Sequence, residues 1–442
     1  MLAAPAQTRS RHPALGRLPG HLLGLVSWLL SLAFLVWAAR LAILEGYVYE
    51  IPKGFSGDFV ATLNLAFPWW FDGTNIFYGP IFVLEYRLLV APRLLQAADF
   101  ARLNFVLLGA AFVCTWLATF GRRQPRLAVV ILGLWLAYHG TVEALANTAH
   151  LEMLELAMIA LALVLATRRR PGLAGVALGV AVAAKTLPAL FLPYLALTRR
   201  WRMLACAAAV SAGLLLAVCW LQSVPPWQGA LDLLYQGGNL TDIEYTEYAY
   251  TVRADVARVL TAGQGTLSAD QARLAIATHA AVGLSVMVLV GLVLVRARRA
   301  RRHDALSSGV IAATMLVVAP SAHPASFIFL LPGLTAGAAE VLARTRSVHT
   351  IGLAAALAAG FIFSGFDQPF FLSQRLLGIG GVVPAHWLSW HLPTLALLTT
   401  IGALCALLVT AHRSEQAPLI RAPHERASDV ECRAASLRSG AR

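Results

Sequence analysis

Residues 168–202 read RRRPGLAGVALGVAVAAKTLPALFLPYLALTRRWR, an apolar stretch closed at each end by arginines. In a chain that resides in lipid, arginine clusters stay in the cytoplasm. The segment between two such clusters must therefore leave and return. Pro171 to Thr198 is too short for two full spans of about 20 residues each, so it predicts a hairpin of short helices with Lys185, Thr186 and Pro188 at its tip. Helices follow because backbone in hydrocarbon has to satisfy its own hydrogen bonds.

Composition extends that reading to the whole chain. Of 442 residues, 58% are hydrophobic and only 13% charged, which lies outside the range of ordinary soluble domains. The apolar residues run in stretches near the length that spans a bilayer, without the alternation of half-buried elements. The formal charge of +13 comes from short clusters between apolar stretches, the pattern of a topology signal and not of a nucleic-acid-binding face. Cys114, Cys206, Cys219, Cys405 and Cys432 are scattered, and no disulfide framework or metal-ligand spacing is readable among them. Arg9, Arg11 and Arg17 precede the apolar run Leu22 to Leu44. That run is too long for a cleaved signal and reads as an anchor.

Working outward from the hairpin, an even number of crossings has to separate neighbouring arginine clusters. Leu22 to Leu44 exits and Phe100 to Phe120 returns, leaving residues 45–99 outside; Arg40 is an exception that snorkelling absorbs. Leu127 to Asn147 exits and Leu151 to Thr167 returns, with His150 at the outer turn. After the hairpin, Trp201 to Leu221 and Ala275 to Val295 enclose an acidic, tyrosine-containing outer loop. Ala305 to Ala319 and Ser326 to Leu342 flank Ser321, His323 and Pro324. Gly352 to Ser364 and His391 to Val409 flank an aromatic segment suited to an interfacial belt. The expected architecture is all-α: a polytopic transmembrane bundle of about 12 crossings. A cytoplasmic segment (residues 1–20) precedes the membrane domain (residues 21–410), and a disordered cytoplasmic tail (residues 411–442) follows it. No internal repeat is evident.

Parity brings Asp58, His150, Glu152, Lys185 and His323 to one side, although they come from four widely separated stretches. Ionisable groups near hydrocarbon cost about 2.5 to 3.5 kcal/mol at a helix centre and are usually retained for a purpose. Asp58, in Gly57-Asp58-Phe59, shares its loop with Asp72 and Tyr78. Its carboxylate suits a general base, or it caps an interfacial helix. Lysine occurs only at Lys53 and Lys185, and the remaining basic side chains are arginines. An ammonium at a hairpin tip either holds a phosphate as a point charge or snorkels to the interface. His323 and His150 can donate to a phosphate oxygen. Glu152 and Glu155 begin a helix whose dipole favours carboxylates.

Three motifs, Gly57-Asp58-Phe59, Ala184-Lys185-Thr186-Leu187-Pro188 with the preceding Ala174-Gly175, and Ala319-Pro320-Ser321-Ala322-His323-Pro324, resemble glycosyltransferase family 87 in order and spacing. These are membrane enzymes of the GT-C type, actinobacterial mannosyltransferases among them. The resemblance implies a GT-C bundle with extracytoplasmic loops and short interfacial helices. It implies inverting transfer of a hexose, often mannose, from a polyprenyl-phosphate sugar to a hydroxyl of a glycolipid or lipid-linked glycan outside the plasma membrane. Asp58 would be the base, and Lys185 with His323 would hold the donor phosphate. His150, Glu152, Asp72 and Tyr78 are further candidates for substrate contact. Two departures mark this chain: Ala149-His150-Leu151-Glu152 stands where family members often carry Gly-Gln-x-Asn, and the tryptophan and paired histidines common near His323 are absent. No cofactor or nucleic acid is expected; no metal ligands are assigned, and metal dependence stays open because Asp58 and Asp72 share a loop; the partners are the donor, the acceptor and membrane lipids. A transporter or lipid flippase, and a noncatalytic assembly factor, are the competing readings. A transporter would be expected to show repeated halves with polar sites at the bilayer midplane.

Overall fold

The computed structural model describes residues 20–41, 43, 80–85, 97–121, 124–146, 151–231, 251–261, 267–297, 304–319, 322, 324–344, 347–365, 391 and 393–411. Every regular element among the described residues is helical. In chain order they include α1 (Gly20–Leu41), the short α2 (Pro80–Glu85), α3 (Ala97–Thr119), α4 (Pro125–Ala137), α5 (His139–Ala146), α6 (Glu152–Thr167) and α7 (Pro171–Ala184). A 3-10 turn (Leu187–Leu190) leads into α8 (Phe191–Leu197), followed by α9 (Trp201–Gln222), α10 (Val252–Thr261), α11 (Ala269–Ala297) and α12 (Asp304–Val318). A second 3-10 stretch (Pro324–Phe329) opens into α13 (Leu330–Leu342), and α14 (Val348–Gly365) and α15 (Pro393–Ala411) complete the bundle.

Among the described residues, five helices are long and apolar enough to cross a membrane: Arg102–Thr119, Trp201–Gln222, Ala269–Ala297, Ala325–Leu342 and Pro393–Ala411. Six further apolar helices are shorter, including α7 and the Leu187–Leu197 segment. Large apolar side chains such as Leu30, Trp220 and Leu289 stand exposed on outer faces, the arrangement of a protein whose solvent is hydrocarbon. The expected unbroken span Leu127 to Asn147 is instead split. Tyr138 takes an extended conformation between α4 and α5, fully buried, and its hydroxyl donates to Ser364 Oγ at 2.9 Å. A buried phenol needs such a partner, and the apolar pattern gives no sign of the break.

Close approaches fix the relative direction of two helix pairs. Gly24 faces Arg126 and Gly133 faces Phe34, so α1 and α4 run parallel. Gly175 lies against Met203 and Gly179 against Ala207, so α7 and α9 also start at the same level. A Cβ on Gly175 would come within 2.4 Å of the Met203 carbonyl oxygen, which leaves room for hydrogen alone. The chain therefore rises through α7 and comes back through α8 before α9 begins. This return path is what the two arginine clusters predict. Gly309 meets Gly333 where α12 packs on α13.

These registers gather the described members of the arginine clusters at one end. Arg126 lies over the Trp28 ring, 5.4 Å from its centre. Arg200 is ion-paired with Asp304 at the start of α12, and Arg344 reaches the Leu407 carbonyl at 3.0 Å and Thr410 Oγ1 at 2.6 Å near the end of α15. The core between the ends is apolar and continuous, from Leu108 and Trp135 through Leu156 and Leu178 to Phe327 and Leu404.

Candidate functional site

At the end away from the arginines, α7 stops at Lys185. Its backbone turns extended (φ −152°, ψ 150°) while its N–H still donates to the Ala181 carbonyl. Pro188 then starts the 3-10 turn, where a residue without an amide proton loses nothing. The Lys185 side chain points back across the hairpin, and Nζ donates to Glu152 Oε1 at 2.7 Å. Glu152 opens α6 and is 1% exposed, whereas Lys185 keeps 27% of its side chain accessible. One partner is thus sealed in the protein and the other has an open side.

Sequence reading assigned Glu152 to the helix dipole or to substrate and did not pair it with Lys185. The signal was available. Arg168–Arg170 form the turn between α6 and α7, and the two residues lie almost equally far along the chain on either side of it. Two antiparallel helices that rise equally per residue bring such positions level. Glu155, one turn further along α6, is fully buried as well. A buried carboxylate costs little only with a cation or donors beside it, so the Lys185 ammonium is integral to this end of α6.

Other elements converge here. The Leu187–Leu190 turn packs on α12, and the Pro324–Phe329 stretch packs on α5 and α6. Asn104 of α3 reaches the Ala144 carbonyl of α5 at 3.5 Å. A second polar group lies toward the same end: Asp255 Oδ1 accepts from Arg258 Nη1 and from His391 Nδ1, each at 3.1 Å. His279 Nε2 lies 3.1 Å from the Val318 carbonyl. Arg253 is 3% exposed. Asp255 belongs to the acidic outer loop between Trp201–Leu221 and Ala275–Val295, and its two basic partners, Arg258 and His391, are not legible in the sequence. Among the described residues no three His, Cys, Asp or Glu side chains group closely enough to hold a metal ion.

Asp58, Asp72, Tyr78, His150 and His323 lie outside the described residues. The elements flanking two of these segments are described. The end of α1 points away from the arginines, and Leu84 of α2 packs against Val218 and Cys219 near the far end of α9. The chain therefore leaves α1 and reappears at α2 on the Lys185 end. Likewise α12 ends, and the following 3-10 stretch begins, on that end.

At the opposite end, burial tends to lower the Arg200 pKa. The hydrogen bond and charge of Asp304 and the nearby Tyr194 outweigh that, so the guanidinium is held above its usual value. Arg344 is bonded to Glu340 at 2.9 Å as well as to α15. Arg200 and Arg344 are thus clasps between helices.

A family model, Glycosyltransferase family 87, matches residues 76–320, more than half of the chain. The matched region contains Glu152 and Lys185, begins after Asp58 and Asp72, and stops short of His323. No curated protein and no solved structure matches.

Proposed function

Since the chain belongs to glycosyltransferase family 87, we propose that this membrane glycosyltransferase moves a hexose, mannose in the first instance, from a polyprenyl-phosphate sugar to a hydroxyl of a glycolipid or lipid-linked glycan. In this reading the bundle crosses the plasma membrane about 12 times. The arginine end is cytoplasmic, and the Lys185 end carries the site on the extracytoplasmic side. One observation carries the proposal: opposite the arginines, an accessible ammonium is held by a sealed carboxylate.

The donor is a phosphodiester. When the bond from the anomeric carbon to the phosphate oxygen breaks, the leaving monoester gains a negative charge. An ammonium already in place stabilises that charge more in the transition state than in the ground state, which is the condition for accelerating the step. Glu152 orients the Lys185 side chain until the phosphate competes for it, and His323 supplies a second donor. On the other face of the sugar, Asp58 takes the acceptor hydroxyl proton as the oxygen attacks. The leaving phosphate departs as an anion, so no general acid of the inverting-glycosidase kind is needed. Asp72, Tyr78 and His150 are assigned to sugar and acceptor contacts. Support for Asp58 comes from its segment, which leaves α1 and returns to α2 at the Lys185 end.

The test is transfer by purified protein in nanodiscs from labelled polyprenyl-phosphate mannose to a lipid extract. Wild type is expected to form a labelled glycolipid, and Asp58→Asn to lose it. Equal product from both removes Asp58 as base. No product from wild type, accompanied by lipid movement in proteoliposomes, turns the reading toward a flippase.

A further inference from the structure

The described part of the bundle holds a large feature that the chemistry at the Lys185 end does not use. A cavity of about 640 Å³ lies between α1 and α4 on one side and α13 and α14 on the other. Phe34, Trp37, Trp135, Leu334, Leu357 and Phe361 shape it. Thr335 is its main polar residue, and the Thr335 hydroxyl already accepts the Trp135 indole N–H at 3.1 Å. The cavity is open sideways, where Trp37, Leu134, Ile362 and Leu342 are exposed. At roughly 30 Å³ per methylene-sized group, the share of a water molecule in the liquid, it has room for about twenty such groups, one hydrocarbon chain.

Its depth selects the chain. The lining runs along α13 from Leu331 to Leu342, about 16 Å at 1.5 Å per residue. Leu342 is two residues from Arg344, at the arginine end. The other limit lies under Tyr138, whose ring packs on Phe361 at 5.2 Å and whose hydroxyl reaches toward the Phe327 carbonyl of the Pro324–Phe329 stretch. That stretch in turn packs against α6, the helix of Glu152. A lipid with its phosphate at Lys185 fills this space only if its tail passes the midplane of a hydrocarbon layer about 30 Å thick. An acyl chain of an ordinary phospholipid ends near that midplane. An isoprenoid chain does not.

We propose that this groove seats the distal isoprene units of the donor's polyprenyl tail, so that the enzyme selects its donor by chain length as well as by phosphate. The proposal rests on the polyprenyl-phosphate reading of the function. Lipid is as apolar as the groove, so the preference comes from packing, and the expected effect is modest.

The test has two arms. In the first, wild-type protein in phosphatidylcholine nanodiscs is photolabelled with a sugar-free polyprenyl phosphate carrying a diazirine at its tail end, a measurement independent of transfer. Labelled residues are expected on α13 and α14, competed by unlabelled polyprenyl phosphate and unaffected by added anionic phospholipid. Competition by phospholipid, which would mean a lipid seated from the arginine side, or labelling elsewhere, overturns the proposal. In the second, the ratio of transfer from a long-chain donor to that from a two-isoprene donor is compared between wild type and Ala358→Trp, a substitution at the exposed rim of the groove. A wild-type ratio of about fivefold that falls to near unity supports the groove, and an unchanged ratio counts against it. Should wild type transfer from neither donor, the functional reading fails while the labelling still decides the groove.

Discussion

The two ends of the bundle each join distant parts of the chain through a cation and a carboxylate, with different cations at each. At the arginine end, Arg200 clasps Asp304 across 104 positions, and Arg344 binds Glu340, Thr410 and the Leu407 carbonyl together. A guanidinium fork spends several donors in fixed directions, so these contacts lock helices. At the other end a compact ammonium meets Glu152 and keeps an open side. Arg200 and Lys185 keep similar shares of their side chains accessible, 26% and 27%, so the pairs differ in geometry: the first cation is a directional fork and the second a point charge that a ligand can share.

The largest test of that contrast is Lys185→Met. Transfer should fall by about 10² to 10³, the usual effect of deleting a donor to developing negative charge. Lys185→Arg should recover only part of it, because a fork does not replace a point charge. Arg200→Met should leave the initial rate per folded molecule within about twofold while lowering the melting temperature. Equal rate losses at the two ends would erase the distinction.

Next comes the strut that sets the height of Lys185. Gly175→Ala places a methyl against the Met203 carbonyl oxygen and should cost about 3 kcal/mol, as overpacking does. Gly172→Ala meets nothing nearer than 3.7 Å and should be close to neutral in a thermal melt. Glu152→Gln should follow at about 2 kcal/mol, below the ~3 to 5 kcal/mol of a fully buried broken pair, because Lys185 is partly accessible. Combined with Lys185→Met it should be less than additive. Asp304→Asn should be smallest, about 1 kcal/mol and weaker in high salt.

Arginine parity carries far into the fold because it depends only on where charge can stay. It places the hairpin between residues 168 and 202, and the parallel start of α7 and α9 agrees with it. It also groups Arg126, Arg200 and Arg344, as the helix registers do. Pairwise relations were less legible. The Lys185–Glu152 contact follows from counting outward from the turn at Arg168–Arg170, an inference about packing that composition cannot suggest. The Tyr138 break depends on Ser364, 226 positions away, and so has no local signature. The ring around Asp255 draws on His391 at the start of α15, also beyond any local pattern.

The length of α7 has a further consequence. Its 14 residues rise about 21 Å, several ångströms short of a hydrocarbon layer of about 30 Å. On the proposed topology, with Pro171 at the cytoplasmic boundary, Lys185 would stand below the far surface of that layer, and the headgroup of the proposed donor would have to descend to it. On that topology the host membrane becomes a variable of the proposed transfer: hydrophobic mismatch would set how deep the donor phosphate travels, and a thinner bilayer would bring the surface down to the lysine.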